Sequence, residues 1–187
     1  MRFLSNPSTG KMGFAIAAEA ARRGHDVTLV AGPVALKTPK GVKRVDVVSA
    51  REMLAAVEAV RHADVLVATA AVADWRPAKC AAKKLKKGEM SSTLKLVRNP
   101  DILKTVKGVR KVGFAAETND VLKEAARKCR EKGLSFIVAN DVTQKGCGFG
   151  TDTNRVTFVF PDGTQKKFPL MTKRMVAKRI LDEVSRP

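Results

Sequence analysis

The chain has 187 residues, 44% of them hydrophobic, and carries a formal net charge of +18 with a pI near 10.3. That is the length of one domain with a real core, and no run approaches the roughly 20 consecutive apolar residues of a membrane helix. The charge points to anionic partners, but it is spread along the whole chain, and with no Tyr and one Trp the stacking platforms of single-strand binders are scarce.

A polyphosphate-type ligand therefore explains the charge at least as well as nucleic acid does, and neither nucleic acid nor a membrane is expected as a partner. No signal core is present at the N-terminus, so a cytoplasmic location follows by default. Cys80, Cys129 and Cys147 are an odd number with no C-x-x-C pair. They argue against a disulfide framework or a zinc site and read as reduced structural thiols.

In chain order, the spacing of apolar residues predicts a helix over Lys11 to Arg23, with Lys11, Glu19, Arg22 and Arg23 on its polar side and Gly24 ending it. Val27 to Ala31 reads as a buried strand and Val42 to Val48 as a second. Ser49 with Glu52 forms a capping box for a helix to about Val60. Asp64 to Thr69 is a third strand. The stretch over about 76–93 lacks periodicity and predicts a long mobile loop. Leu94 to Val97 reads as a strand, and Asn99 with Pro100 reads as the start of a short helix.

Lys111 to Ala115 predicts another strand. Asn119 caps a helix that ends at Gly133, and Phe136 to Ala139 follows as a strand. Arg155 to Phe160, the Asp162-Gly163 turn and Gln165 to Phe168 predict an antiparallel hairpin, and Thr172 opens a final helix. Strands alternating with helices give an α/β, doubly wound, mostly parallel Rossmann-like sheet with helices on both faces and a C-terminal antiparallel hairpin, in one domain over 1–187. In such a sheet ligands bind at the carboxyl ends of the strands, which puts Ala70 to Asp74, Ala115 to Thr118 and Asn140 to Val142 on one rim.

Several segments have the makings of a site, each with a plainer reading beside it. Asn6 to Gly13 leads into the first helix with hydroxyls, glycines and a lysine, as an anion site does, but an ordinary helix cap looks the same. It is neither a Walker loop nor a G-x-G-x-x-G fingerprint. Ala70 to Trp75 leaves a strand with small residues and Asp74, which suits a ligand or a tight turn. Lys83 to Lys87 is a charge run, either solvated or aimed at phosphates. Lys128 and Lys132 lie four apart on one helix face and repel mildly unless an anion joins them. His25 and His62 fall in surface turns and take no role.

Read together, these blocks resemble the phosphopantothenoylcysteine synthetase family, particularly its CTP-using bacterial and archaeal members. They run from Arg2 to Gly13 through Val30 to Pro33, Ala70 to Asp74, Lys84 to Lys87, Asn99 to Ile102 and Val112 to Thr118 to Ala139 to Val142, in order over essentially the whole chain. The resemblance implies ligation of 4'-phosphopantothenate to L-cysteine. The carboxylate attacks the α-phosphate of CTP, pyrophosphate leaves, and the cysteine amine attacks the acyl-cytidylate.

Mg²⁺ would accompany the triphosphate. Carried over to matching positions, Asn6 holds the activated acyl group and Lys84 is the loop lysine needed for turnover. CTP binding falls to Ala68, Thr69, Ala70, Asp74, Lys84, Pro100, Asp101, Ile102, Leu103, Phe114, Lys128 and Lys132. Arg2, Asn6, Ser8 and Ala71 match the phosphopantothenate and intermediate site. Asp74 is expected to accept from the cytosine amine, which uracil lacks.

The family also implies a homodimer, with the strand around Leu94 to Val97 and the C-terminal hairpin as interface. Its members begin with a further strand and a Gly-Gly-Thr loop ahead of the segment matching Arg2, and many bacterial members carry a flavin-dependent decarboxylase domain upstream. The sheet is expected to lack that first strand and to expose an unpaired edge. The competing readings are a nucleotide- or NADP-binding oxidoreductase, disfavoured by the missing glycine fingerprint, and a basic nucleic-acid-binding module.

Overall fold

The structure is a computed structural model that describes residues 4–60, 62–79, 81, 83, 93–117, 121–141, 146–148 and 150–186. Helix α1 (Lys11–Arg22) leads to β1 (Val27–Ala31), β2 (Val42–Asp46), α2 (Ala50–Ala59) and β3 (Val65–Ala68). Next come β4 (Trp75–Pro77), β5 (Leu96–Arg98), the short α3 (Ile102–Thr105), β6 (Arg110–Glu117), α4 (Val121–Lys132) and β7 (Phe136–Asp141). The chain finishes with β8 (Thr153–Asn154), β9 (Val156–Val159), β10 (Gln165–Lys167), β11 (Met171–Thr172) and α5 (Lys173–Val184).

The main sheet has the order β10-β9-β7-β6-β3. Its β3, β6 and β7 run parallel, while β9 and β10 are antiparallel additions, as the alternation and the Asp162-Gly163 turn predict. Because side chains alternate across a strand, β7 feeds two cores at once. Phe136 and Val138 join Val112, Phe158, Val176 and Ile180 beneath α1 and α5. Ile137 and Ala139 join Ala125, Cys129 and Leu134 beneath α4. The Phe136 and Phe158 rings lie 5.0 Å apart in a tilted contact.

Local signals behave as their chemistry demands. Ser49 and Glu52 form the predicted capping box. Thr172 Oγ1 accepts from the Met175 N–H at 3.3 Å, and Gly133, at φ 60°, ends α4. Cys129 and Cys147 are both buried; burial pushes the Cys129 thiol up to about 11, away from reactivity. Cys80 and Asn119 lie outside the described residues.

Three expectations change. Trp75–Pro77 is not loop: it pairs antiparallel with Leu96–Arg98, an edge ribbon in which Pro77 is tolerated. Asn99 does not cap a helix; its side chain is taken up by Ala73 and Arg76, and Asp101 caps α3 by accepting from the Lys104 N–H. Glu19 does not sit on a solvated face. It is 5% exposed, held by Arg22 at 2.7 Å and Arg23 at 2.9 Å, and Arg23 reaches on to Asp182 of α5 at 2.8 Å. The ion-paired network lets a carboxylate enter the α1–α5 contact.

The hydrogen bond from Arg22 leads the causes that hold Glu19 down to about 2, against burial, which raises it. Its folded value is therefore below the unfolded one, so the stability it supplies is present above about pH 4.5 and is lost as the pH falls toward 2. Glu19→Gln is expected to cost about 2 kcal/mol at neutral pH and to flatten the fall in stability between about pH 5 and 2, measured by urea unfolding. An unchanged acid limb would refute that role.

The sheet is divided between β1 and β3. β1 pairs with β2 alone, and β3 with β6 alone, among the described residues. The edges of β1 and β3 that carry no partner both border one cavity of about 1580 Å³, together with Ile16, Ala17 and Ala20 of α1 and Met53 and Val57 of α2. Consequently Val27 to Val30 and Val65 to Ala68 are only half-buried, although their apolar run is that of a central parallel sheet.

Candidate active site

The rim above the strand ends is built from small residues and a few fixed amides. The first turn of α1 closes on the residue that follows β3: a Cβ on Gly13 would lie 2.7 Å from Thr69 Oγ1, so glycine alone permits the approach. Gly10, at φ 76°, turns the chain into α1, and no side chain caps the helix. The preceding segment passes over the same rim, where the Asn6 side-chain amide donates to the Ala71 carbonyl at 2.8 Å. Asn99 stitches the next loop in place, donating from its side chain to Ala73 O at 2.7 Å and from its backbone N–H to Asp74 O at 2.8 Å.

Two cavities meet at this point. The larger one, continuous with the gap between β1 and β3, reaches a wall formed by Ala68, Thr69, Ala70, Asp74, Pro100 to Leu103, Phe114, Lys128 and Lys132. The second, of about 1080 Å³, is lined by Ser8, Lys11, Asn140, Asn154 and Lys173. Asn6, Thr69 to Ala73, Asn99 and Phe114 border both. The structure therefore brings together every predicted site residue that it describes. Arg2 and Lys84 lie outside the described residues, but Lys79, Ala81 and Thr93, which flank the Lys84 segment, line the second cavity.

The charges at the rim are partly committed. Lys132 Nζ lies 3.0 Å from Asp101 Oδ2. Burial would raise the Asp101 carboxyl, but the hydrogen bond and charge of Lys132, with help from Lys104, outweigh it and keep the group anionic. Lys11 is committed within the protein: its ammonium donates to Gly150 O and Asp152 Oδ1, each at 2.8 Å. His25 and His62, both exposed, border the far end of the larger cavity.

Three residues escaped the sequence reading. Asn99 was assigned to a cap, and nothing local distinguishes a cap from a tie. Lys173, 7% exposed, donates to the Gly148 and Thr151 carbonyls, and burial, then Lys11, pulls its pKa below the usual lysine value. Lys111 is 6% exposed in β6, beside the exposed Arg110. A charge directly ahead of the apolar run Val112 to Ala116 is the only signal. Asn140 donates to Cys147 O at 3.0 Å, and its buried Oδ1 has no partner among the described residues.

A sequence profile described as "DNA/pantothenate metabolism flavoprotein C-terminal domain" matches residues 1–186. The chain belongs to this family. Coenzyme A biosynthesis bifunctional protein CoaBC of Escherichia coli is 48% identical over 193 residues, covering 98% of this chain and 47% of that protein. CoaBC of Bacillus subtilis is 46% identical over 191 residues, covering 99% of the chain and 47% of that protein. This family domain thus spans about half the length of the curated relatives it matches.

The crystal structure of the C-terminal domain of a CoaBC superposes with a TM-score of 0.81 at 40% identity, covering 98% of this chain and 85% of that one. A Cab2 mutant in complex with phosphopantothenate-cysteine superposes with a TM-score of 0.73 at 14% identity, covering 98% and 80%, a likeness of fold alone. The mostly parallel, Rossmann-like α/β sheet is the fold of the family domain. Among the described residues no helix is long and apolar enough to cross a membrane.

Proposed function

We propose that this chain acts in coenzyme A biosynthesis as a CTP-dependent phosphopantothenate-cysteine ligase. The observation that carries the reading is the shared wall of the two cavities, with the Asn6 amide set on it against Ala71. A carboxylate is a poor acyl donor to an amine, so a ligase must first bring it within bonding reach of a nucleotide α-phosphate. Two adjoining cavities with one common wall supply that proximity. The family membership and the CoaBC relatives favour the same chemistry over an NADP-dependent reduction or nucleic-acid binding.

In this reading CTP lies against Ala68 to Ala70, Pro100 to Leu103, Phe114 and the Lys128–Lys132 face, and Asp74 accepts from the cytosine amine. 4'-Phosphopantothenate lies in the second cavity past Ser8 and Ala71, with Arg2 at the same site. Asn6 donates to oxygens of the acyl-cytidylate, and the cysteine amine then displaces CMP. Lys84 supplies a point charge as pyrophosphate leaves.

Among the described residues no group of three or more His, Cys, Asp or Glu side chains converges to hold a metal. That fits Mg²⁺ arriving on the triphosphate, whose charge it neutralises, since Mg²⁺ is commonly held by substrate phosphates with few protein ligands. The test is to incubate the chain with 4'-phosphopantothenate, Mg²⁺ and CTP, ATP or UTP, without and with cysteine, and to follow pyrophosphate and product mass. CTP-dependent phosphopantothenoyl-cytidylate, converted to phosphopantothenoylcysteine by cysteine, is the expected result. No pyrophosphate with any nucleotide, including in a protein extended to supply the strand between β1 and β3, would overturn it.

The active form in this proposal is a homodimer. Trp75 and Leu96 on the β4–β5 ribbon and Leu94 just before β5 are 45%, 39% and 57% exposed, a concentration of apolar surface that suits a second copy. Sedimentation is expected to show a dimer that Trp75→Glu dissociates; a wild-type monomer at all concentrations would refute it.

A further inference from the structure

Lys111 is a cation placed where an apolar residue would be expected. It points to the α4 side of the sheet, as Gly113 and Ala115 do, and is almost fully buried, with no ion pair to a carboxylate among the described residues. Its three N–H groups are all used, on Leu103 O at 2.8 Å, Val106 O at 3.3 Å and Lys132 O at 2.7 Å. Leu103 and Val106 form the C-terminal turn of α3, and Lys132 is the last residue of α4. These carbonyls have no partner within their own helices and carry the negative ends of the helix dipoles, so one buried ammonium caps two helices together. Burial, with a further push from Lys107, lowers its pKa.

Leu103 and Lys132, joined in this way, both border the larger cavity. Pro100 and Asp101, just ahead of α3, line it together with Ile102 and Leu103, and Lys128 and Lys132 line it from α4. On the outside, Lys132 and Asp101 bridge the same two helices. Each of those outer groups can turn toward a ligand, whereas Lys111 does not border the cavity. We propose that Lys111 is a positioning residue for the nucleotide, setting the span between the Pro100–Leu103 backbone and the Lys128–Lys132 pair. It touches no substrate and acts through the carbonyls it holds.

The proposal rests on the ligase reading and makes a narrower claim. Removing the clamp loosens only the nucleotide half of the site, since the Asn6–Ala71 contact and the second cavity are held by other elements. In the full chain, Lys111→Met is expected to raise KM for CTP about tenfold while leaving kcat and KM for 4'-phosphopantothenate within about twofold. Lys111→Gln, which keeps two N–H donors without the charge, is expected to recover part of that loss, and it provides the reading if the methionine variant does not fold.

Direct binding of Mg²⁺-CTP by calorimetry, at a temperature where unfolding curves show each protein folded, separates the possible failures. No CTP binding either by the wild-type chain or by the form extended to supply the strand between β1 and β3 would overturn the ligase reading and the clamp together. CTP binding by the wild type with unchanged affinity in a folded variant would overturn the clamp alone. So would a fall in kcat with both KM values rising in parallel, which is the mark of general structural damage.

Discussion

Asn6→Asp is expected to lower kcat for phosphopantothenoylcysteine formation by about 10²–10³ with little change in stability, the range found when one oxyanion donor is removed. The side chain is exposed and spends one of its two amide N–H groups on Ala71 O at 2.8 Å, which leaves the other for the acyl oxygens. Aspartate has nearly the same shape, but when ionised it can only accept, so it faces that carbonyl with no proton to offer. It also adds a negative charge at the junction where a carboxylate and a phosphate must approach one another, and two anions there already repel. Steady-state product formation and a thermal melt measure the two quantities. Activity within about twofold of wild type would remove Asn6 from the mechanism; a large fall in melting temperature would mean that its tie to Ala71 is structural.

Filling the gap between β1 and β3 is expected to have the largest effect on stability. The chain enters α1 from the rim, and a strand placed in the gap parallel to both neighbours would leave it at that rim, completing a right-handed strand–helix–strand unit with β1. An added strand of about five apolar residues would pair with two strand edges and cover the half-buried Val27, Leu29, Val65 and Val67. Each well-buried aliphatic side chain contributes roughly 1.5–3 kcal/mol, offset by roughly 1–2 kcal/mol for each residue ordered.

A net gain of about 3–5 kcal/mol follows, or on the order of 10 °C in Tm for a domain of this size. The comparison is between this 187-residue chain and the same chain extended at its N-terminus by an apolar strand and a short glycine-containing loop, with a proline-interrupted extension as control. Amide exchange should slow along both β1 and β3. Equal melting of all three proteins would show that the gap does not accept a strand.

How much of this was legible follows the range of the forces involved. The Ser49–Glu52 capping box, the Thr172 cap and the Asp162-Gly163 turn are settled by groups within a few residues of one another, and the structure contains each as read. Asn99 misled because an asparagine before a proline looks like a cap locally, whereas its partners Ala73 and Arg76 lie 26 and 23 residues away. The short pairing of β8 with β11 left no trace in the periodicity, since two residues are too few to show alternation.

The candidate site divides in the same way. That Ala68 to Ala71, Asp74, Pro100 to Leu103 and Phe114 would lie near one another was legible from the order of their blocks, and all of them border the cavities. Its internal ties were not. That Lys132 bonds Asp101, that Lys11 turns from the α1 N-terminus to Asp152, and that Lys111 caps two helices depend on which charges meet after folding.

The sequence by itself determined the family, through the resemblance carried by its ordered motif blocks, and most of the order of the elements, because hydrophobic period, turn chemistry and helix caps act over a few residues. Only the tertiary structure decided that Asn6 and Ala71, 65 positions apart, meet on one wall between two cavities, and that Glu19 and Lys111 are buried. Those outcomes rest on contacts between distant segments, where each charge must find partners once water has been removed from around it.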